Sequence, residues 1–258
     1  MKKISALILA SSIGLAAQAQ LIDTLTGSSL NDSYTLTPVL YSGSSIPDTT
    51  VVSFAPTVNG LQVTGSSYND IEQALFLQSD YSLSVGETLS VNVNYVAGGA
   101  NDFGLAIAST ATPTAASGTS NPLGNTRTSL SYAFIGIRTA SWHVISGGFD
   151  GATSIATTQS QPGSGTTAEL FITETALNTF QMGYETTSVN GGAPTILTTD
   201  TFVNNAGVGS AIGFYTDVRA NGTMANFTNL QITPEPSTLA LCGMGLAGMF
   251  GVMSRKKY

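Results

Sequence analysis

The sequence predicts an all-β domain, a sandwich or barrel of short antiparallel strands. Short runs of β-branched and aromatic residues alternate with polar ones, and clusters of Gly, Asn, Asp, Pro and Ser separate the runs. Between the two ends of the chain no segment keeps a convincing 3.6-residue apolar period over any length. About 214 residues without a cysteine must build one substantial hydrophobic core, since no intramolecular disulfide can staple them.

The elements follow in chain order. Lys2 and Lys3, the mostly apolar stretch Ile4 to Ala17 and the small-x-small triplet Ala17-Gln18-Ala19 have the layout of a secretory signal peptide cleaved after Ala19. Candidate strands then run over 34–40, 51–54, 61–64 and 74–78. The clearest is Leu89-Ser90-Val91-Asn92-Val93-Asn94-Tyr95, with strict period two, which should turn Val91, Val93 and Tyr95 to one side and Asn92 and Asn94 to the other. After a turn at 98–102, Phe103, Leu105 and Ile107 should continue the same inner face on a neighbouring antiparallel strand. Further candidates are 131–138, 142–146, 168–173, 179–185, 195–198, 211–215 and 224–232, with surface loops at 109–128 and 159–167. The domain boundaries expected are 1–19, 20–233 and 234–258.

Charge narrows the function classes. Lysine occurs only at positions 2, 3, 256 and 257, and the exported stretch carries Arg127, Arg138 and Arg219 against 14 acidic residues. A nucleic-acid or anionic-lipid partner is disfavoured, because either needs a basic footprint. The surface is instead built of Thr, Ser, Asn and Gly, neutral and hydrogen-bonding, and compatible with a hydrated polysaccharide matrix.

The last 25 residues carry a separate signal. Pro234-Glu235-Pro236 precedes the uncharged run Ser237–Met253, and residues 254–258 form a basic tail with Arg255, Lys256 and Lys257. Seventeen residues make roughly 25 Å of helix, near the lower limit for crossing a hydrocarbon core of about 30 Å. The cations should remain cytoplasmic as a basic stop. Gly243, Ala247 and Gly251 would form a small-residue stripe for close helix approach. This tail resembles the PEP-CTERM sorting signal of Gram-negative bacteria. The resemblance implies a transmembrane helix over 237–253, recognition of Pro234, Glu235 and Pro236 by a membrane-embedded exosortase, and delivery to the cell envelope, outer surface or extracellular matrix.

The body has its own resemblance. Leu89–Tyr95 with Phe103–Ile107, and Leu170–Thr173 with Thr179–Tyr184, resemble paired strands of concanavalin A-like and laminin G-like jelly rolls. The ending Ile212-Gly213-Phe214-Tyr215, Asn221-Gly222-Thr223 and Ala225–Ile232 resembles their closing strands. The resemblance implies a jelly-roll-like antiparallel β-sandwich in which the final strand packs beside the N-terminal ones.

Many such sandwiches are glycosidases, which need two carboxylates about 5–5.5 Å apart to retain configuration or roughly 6.5–9.5 Å to invert it. No run of three spaced acids on one strand occurs here. Asp70 and Glu72 could share a strand face but read as a solvated strand end, and Glu169 and Glu174 read as surface groups. His143 is the only histidine and Trp142 the only tryptophan. Trp142 is the candidate ligand-stacking residue, set against the plainer reading of a core tryptophan beside a hydrogen-bonded histidine. A zinc site needs more His or Cys than the chain supplies. The candidates for a structural calcium ion are the loop carboxylates Asp102, Asp150 and Asp217. No other cofactor is expected, and no catalytic residue is assigned. Three functions remain on this footing: a non-catalytic exported protein, a carbohydrate-binding module and a polysaccharide hydrolase.

Overall fold

A computed structural model describes residues 19–42, 52–65, 71–95, 102–111, 116–117, 131–138, 143–150, 154–160, 167–186, 195–198, 202–203, 208–218 and 221–235. They form seventeen strands: β1 (Gln20–Asp23), β2 (Thr35–Ser42), β3 (Val52–Thr57), β4 (Gly60–Gly65), β5 (Ile71–Gln78), β6 (Glu87–Tyr95), β7 (Asp102–Ala108), β8 (Ala116–Ser117), β9 (Ser131–Arg138), β10 (His143–Asp150), β11 (Ser154–Ser160), β12 (Thr167–Ala176), β13 (Thr179–Thr186), β14 (Thr195–Thr198), β15 (Phe202–Val203), β16 (Ala211–Val218) and β17 (Gly222–Pro234). No helix occurs among the described residues. The expected signal peptide, apart from Ala19 at its end, and the expected transmembrane helix lie outside them. So do Asp70, Trp142, Pro236 and the cations at 255–257.

Two antiparallel sheets pack face to face. One has nine strands in the order β14-β13-β12-β6-β17-β4-β3, with β1 paired to β17 and β15 to β13. The other has eight, in the order β11-β10-β9-β7-β16-β5-β2-β8, antiparallel except for the β2–β8 pair. The final strand β17 pairs with β1, β4 and β6, so it closes the nine-stranded sheet against the early strands. β12 and β13 form the expected hairpin.

Period two decides what enters the core. On β6, Leu89, Val91, Val93 and Tyr95 are buried in the cluster between the sheets, while Asn92 is half-buried and Asn94 exposed. On β7, Phe103, Leu105 and Ile107 enter the same cluster. One expectation is corrected here: β7 is not the neighbour of β6. β6 lies between β12 and β17, and β7 lies between β9 and β16 in the opposite sheet. β6 and β7 therefore belong to opposite sheets, and their inner faces meet across the core. There Tyr95 and Phe103 lie with ring centroids 5.8 Å apart, and Phe103 meets Phe227 of β17 edge-on at 6.2 Å. Alternation alone gives the same strand pattern for a hairpin and for a pair facing each other across a sandwich.

The eight-stranded sheet differs from its partner in having a second buried layer on its far side. Leu75, Leu77, Ala106, Ala108, Tyr132, Phe134, Ala211 and Tyr215 form a separate cluster there. Small residues bring its strands together. A side chain on Gly104 of β7 would overlap the Ile135 carbonyl of β9, and one on Gly213 of β16 would overlap the Phe76 carbonyl of β5. Glycine is required at both places.

Candidate functional site

The far face of the eight-stranded sheet carries a polar row as well as the apolar cluster. In register across the strands lie Gln73 of β5, Asp217 of β16, Asp102 of β7, Arg138 of β9 and His143 of β10. Asp102 and Asp217 are direct cross-strand partners, which sets their Cβ atoms about 4.5–5.5 Å apart. Both are fully buried. Asp217 accepts a hydrogen bond from the Gln73 amide at 3.4 Å, and the backbone carbonyl of Asp102 accepts one from the Thr216 hydroxyl at 3.0 Å. Two buried carboxylates at this spacing need donors or a positive charge nearby, because ionised groups removed from water are costly. Gln73 supplies one donor.

The next rows along the sheet are aromatic. Tyr215 pairs with Gly104 and Leu75, and Phe134 pairs with Ala106. The Phe134 and Tyr215 rings stack at 3.9 Å, and Tyr132 lies parallel to Phe134 at 6.3 Å. All three are buried. Aromatic rings beside a carboxylate pair have the composition of a sugar subsite, yet none of these groups presents a face to solvent.

Of the calcium candidates, Asp102 and Asp217 come together as described. Asp150 does not join them. It ends β10 opposite Ser131, seven residues along the strand from His143 and so roughly 23 Å from the Asp102 row. Among the described residues no group of three His, Cys, Asp or Glu side chains could hold a metal ion. Of the other carboxylates, Glu72 lies on β5 opposite Val218. Glu169 is half-buried on β12 opposite Asn92. Glu174, expected on the surface, is buried and accepts a hydrogen bond from the Asn178 amide at 2.9 Å. Glu174 continues the inward series Ala168, Leu170 and Ile172 by period two, and the register becomes irregular only after it, before Ala176.

A second acidic group gathers at the N-terminal corner. Asp23 is buried and accepts hydrogen bonds from the amides of Leu25 and Asn31 at 2.7 and 2.9 Å, pinning the loop between them. Burial, then the charges of Asp23 and Asp80, hold the Asp32 carboxyl above the usual carboxylate range. Burial and the same acids push the Tyr34 phenol far up, so it stays neutral. Its ring stacks on Phe76 at 4.9 Å. Every link in this corner ties the chain to itself, which makes it a structural clasp.

The sorting tripeptide begins inside the fold. Pro234 is the last residue of β17 and pairs with Glu87 of β6. The Glu235 amide donates to the Gly86 carbonyl at 2.6 Å, and the Gly86 amide donates to the Glu174 carbonyl at 2.8 Å. Glu235 itself is exposed. Beside it lies a cleft of about 440 Å³ lined by Ser82, Val85, Leu177, Asn178, Val208 and Ser210 among others. The sequence named the tripeptide, but only the register shows that its first residue is a strand residue.

Residues 233–257 match the PEP-CTERM protein-sorting motif, so the chain carries a signal for exosortase-dependent sorting and export to the envelope of Gram-negative-type bacteria. No curated protein matches the chain in sequence. Among solved structures, the body is similar to the lectin UEA-II complexed with galactose, at 13% identity and TM-score 0.49, over 82% of this chain and 96% of the lectin. It is also similar to a β-glucanase of Bacillus licheniformis, at 9% identity and TM-score 0.46, over 84% and 98% of the two chains. A third likeness is to the carbohydrate-binding module CBM66 from Bacillus subtilis, at 14% identity and TM-score 0.41, over 79% and 97%.

Proposed function

We propose that this chain is an exosortase substrate whose exported part is a non-catalytic, jelly-roll-like β-sandwich held at the cell envelope, outer surface or extracellular matrix. The observation that carries the reading is the sorting motif at 233–257, continuous with the strand that closes the sandwich. The tail supplies the address and the body is the cargo. The membrane helix over 237–253, the basic stop at Arg255, Lys256 and Lys257, and processing near Pro234-Glu235-Pro236 belong to this proposal. Deleting residues 237–258 is expected to leave the protein unsorted in the periplasm, as read by fractionation. Unchanged localisation would refute the reading.

The non-catalytic part of the proposal rests on the carboxylates. Asp102 and Asp217 are cross-strand neighbours, but both are fully buried, whereas a catalytic pair must flank a bound glycosidic bond. Hydrolysis of a β-glucan or galactan by the exported protein, lost in Asp102→Asn, would overturn it.

Binding of extracellular polysaccharide is a second reading. It is favoured by the lysine-free, hydroxyl- and amide-rich stretch 20–233. Retention of the protein on insoluble polysaccharide, reversed by soluble oligosaccharide, would support it. Trp142 remains its candidate stacking residue.

A further inference from the structure

The strand ends gather at the point where the chain leaves for its tail, and they carry apolar side chains. β17 ends at Pro234 beside Glu87, the start of β6. The β12–β13 hairpin turns at Leu177 and Asn178, and the Gly86 amide bonds to Glu174 at its base. From the other sheet, the Gly209 carbonyl accepts a hydrogen bond from the Leu83 amide, and the Gly209 amide donates to Ala108. The two sheets, the 82–87 loop and the first residues of the sorting motif are thus knitted into one platform. On it Val85 is 53% exposed and Leu177 76%, both lining the same cleft, and Val203, paired with Thr179 at the foot of the hairpin, is 49% exposed. Half of the large apolar residues exposed among the described residues therefore sit at this one end.

We infer that this platform rests on the lipid bilayer, with Val85 and Leu177 in its interfacial layer. The inference builds on the reading of residues 237–253 as a membrane segment. Distance is the main argument. Glu235 is hydrogen-bonded to the platform, and only Pro236 separates it from the start of the uncharged run at Ser237, two peptide steps or at most about 7 Å of extended chain. A tether so short holds this end of the sandwich against the surface the run enters. Scattered single apolar residues on a surface mean little, but these converge where the bilayer must be. Of the acids at this end, the Glu87 carboxylate accepts the Ser84 amide at 2.9 Å and Glu174 accepts the Asn178 amide, while Glu235, at the edge where the chain leaves for its tail, is exposed to water. No lysine lies in residues 20–233, and none of the residues lining the cleft is a cation, so the contact is apolar rather than an attraction to phosphate.

The test uses the full chain in vesicles of phosphatidylethanolamine and phosphatidylglycerol with a share of brominated acyl chains, in a Trp142→Phe background. Leu177→Trp, Val85→Trp, Ile196→Trp and Leu239→Trp are made one at a time. The first three sites are exposed or half-exposed and tolerate the ring, and Ile196 lies opposite Glu185, about 20 Å along β13 from the platform. The expected result is strong bromine quenching for Leu177→Trp, Val85→Trp and Leu239→Trp, none for Ile196→Trp, and no change on raising salt. Quenching of Leu239→Trp alone would overturn the platform inference and leave the membrane tail standing. Quenching of none would overturn both, and quenching that disappears at high salt would overturn the apolar contact.

Discussion

The two sheets share one core but have unlike outer faces. Outside the nine-stranded sheet, the Thr88 and Thr173 hydroxyls bond at 2.7 Å, Gln231 donates to Ser90 at 3.2 Å, and Asn92 lies between Glu169 and Thr228. Along β6 and β12 buried residues largely alternate with half-exposed ones. The eight-stranded sheet has no such wet side in its centre. Every residue of β7 and β16 is buried, and its far face holds leucines, alanines, three stacked aromatics and the Asp102–Asp217 pair. The difference teaches where polar groups acquire cost. On the first sheet Thr and Asn meet water and one another. On the second a carboxylate must be matched by a neighbour in register, as Asp217 is by Gln73.

The largest expected effect tests the face they share. Val93→Asp should cost several kcal/mol, because it buries an unpaired charge between the sheets, whereas Asn94→Asp, one residue along the same strand, exposed and opposite the uncharged Thr167 and Asn226, should stay within about 0.5 kcal/mol. Denaturant melts of the two variants settle it, and equal stabilities would show that β6 is not a core strand.

The next pair compares the outer faces directly. Phe134→Ala on the eight-stranded sheet should destabilise by about 3–5 kcal/mol through the cavity beneath Tyr215. Phe171→Ala on the outer face of β12 should cost about 1 kcal/mol, since that ring is half-exposed over Gly183. Similar losses would mean that the two outer faces are equally buried.

The smallest effect is at the N-terminal clasp. The Asp32 carboxyl is held above its usual 3.8 by burial and by Asp23 and Asp80, so the folded state binds that proton more tightly than the unfolded chain. Its stabilising contribution is present at acid pH and is lost as pH rises through the raised value. Asp32→Asn should therefore raise the melting temperature slightly at pH 7 and leave it unchanged below pH 3.8. A lowered melting temperature at pH 7 would show that the ionised carboxylate is needed.

Much of the fold was legible because one outer face is wet. Alternation on Leu89–Tyr95 marked both the strand and its inward side, and 168–173 and 179–185 were marked as strands. The short β1, β8 and β15 were missed, since two to four residues carry no period, and so was β11 (Ser154–Ser160), whose run Ser-Ile-Ala-Thr-Thr-Gln-Ser has one large apolar residue and ends inside the stretch expected as a loop. Glu174 was read as a surface group because it is charged, although period two from Ala168, Leu170 and Ile172 sets it on the inward side.

Sequence by itself determined the all-β class, the inward residues of the central strands, the excess of acids and the sorting motif with its basic end, because these depend on local order and composition. Tertiary structure alone decided that β6 and β7 lie in opposite sheets, that Asp102 and Asp217 become neighbours, that the eight-stranded sheet is buried on both faces, and that Pro234 is a strand residue joined to the loop bearing Val85. Each of these is a question of which strand pairs with which. Register is set by the packing of the whole sandwich, and no local period of two can distinguish one partner from another.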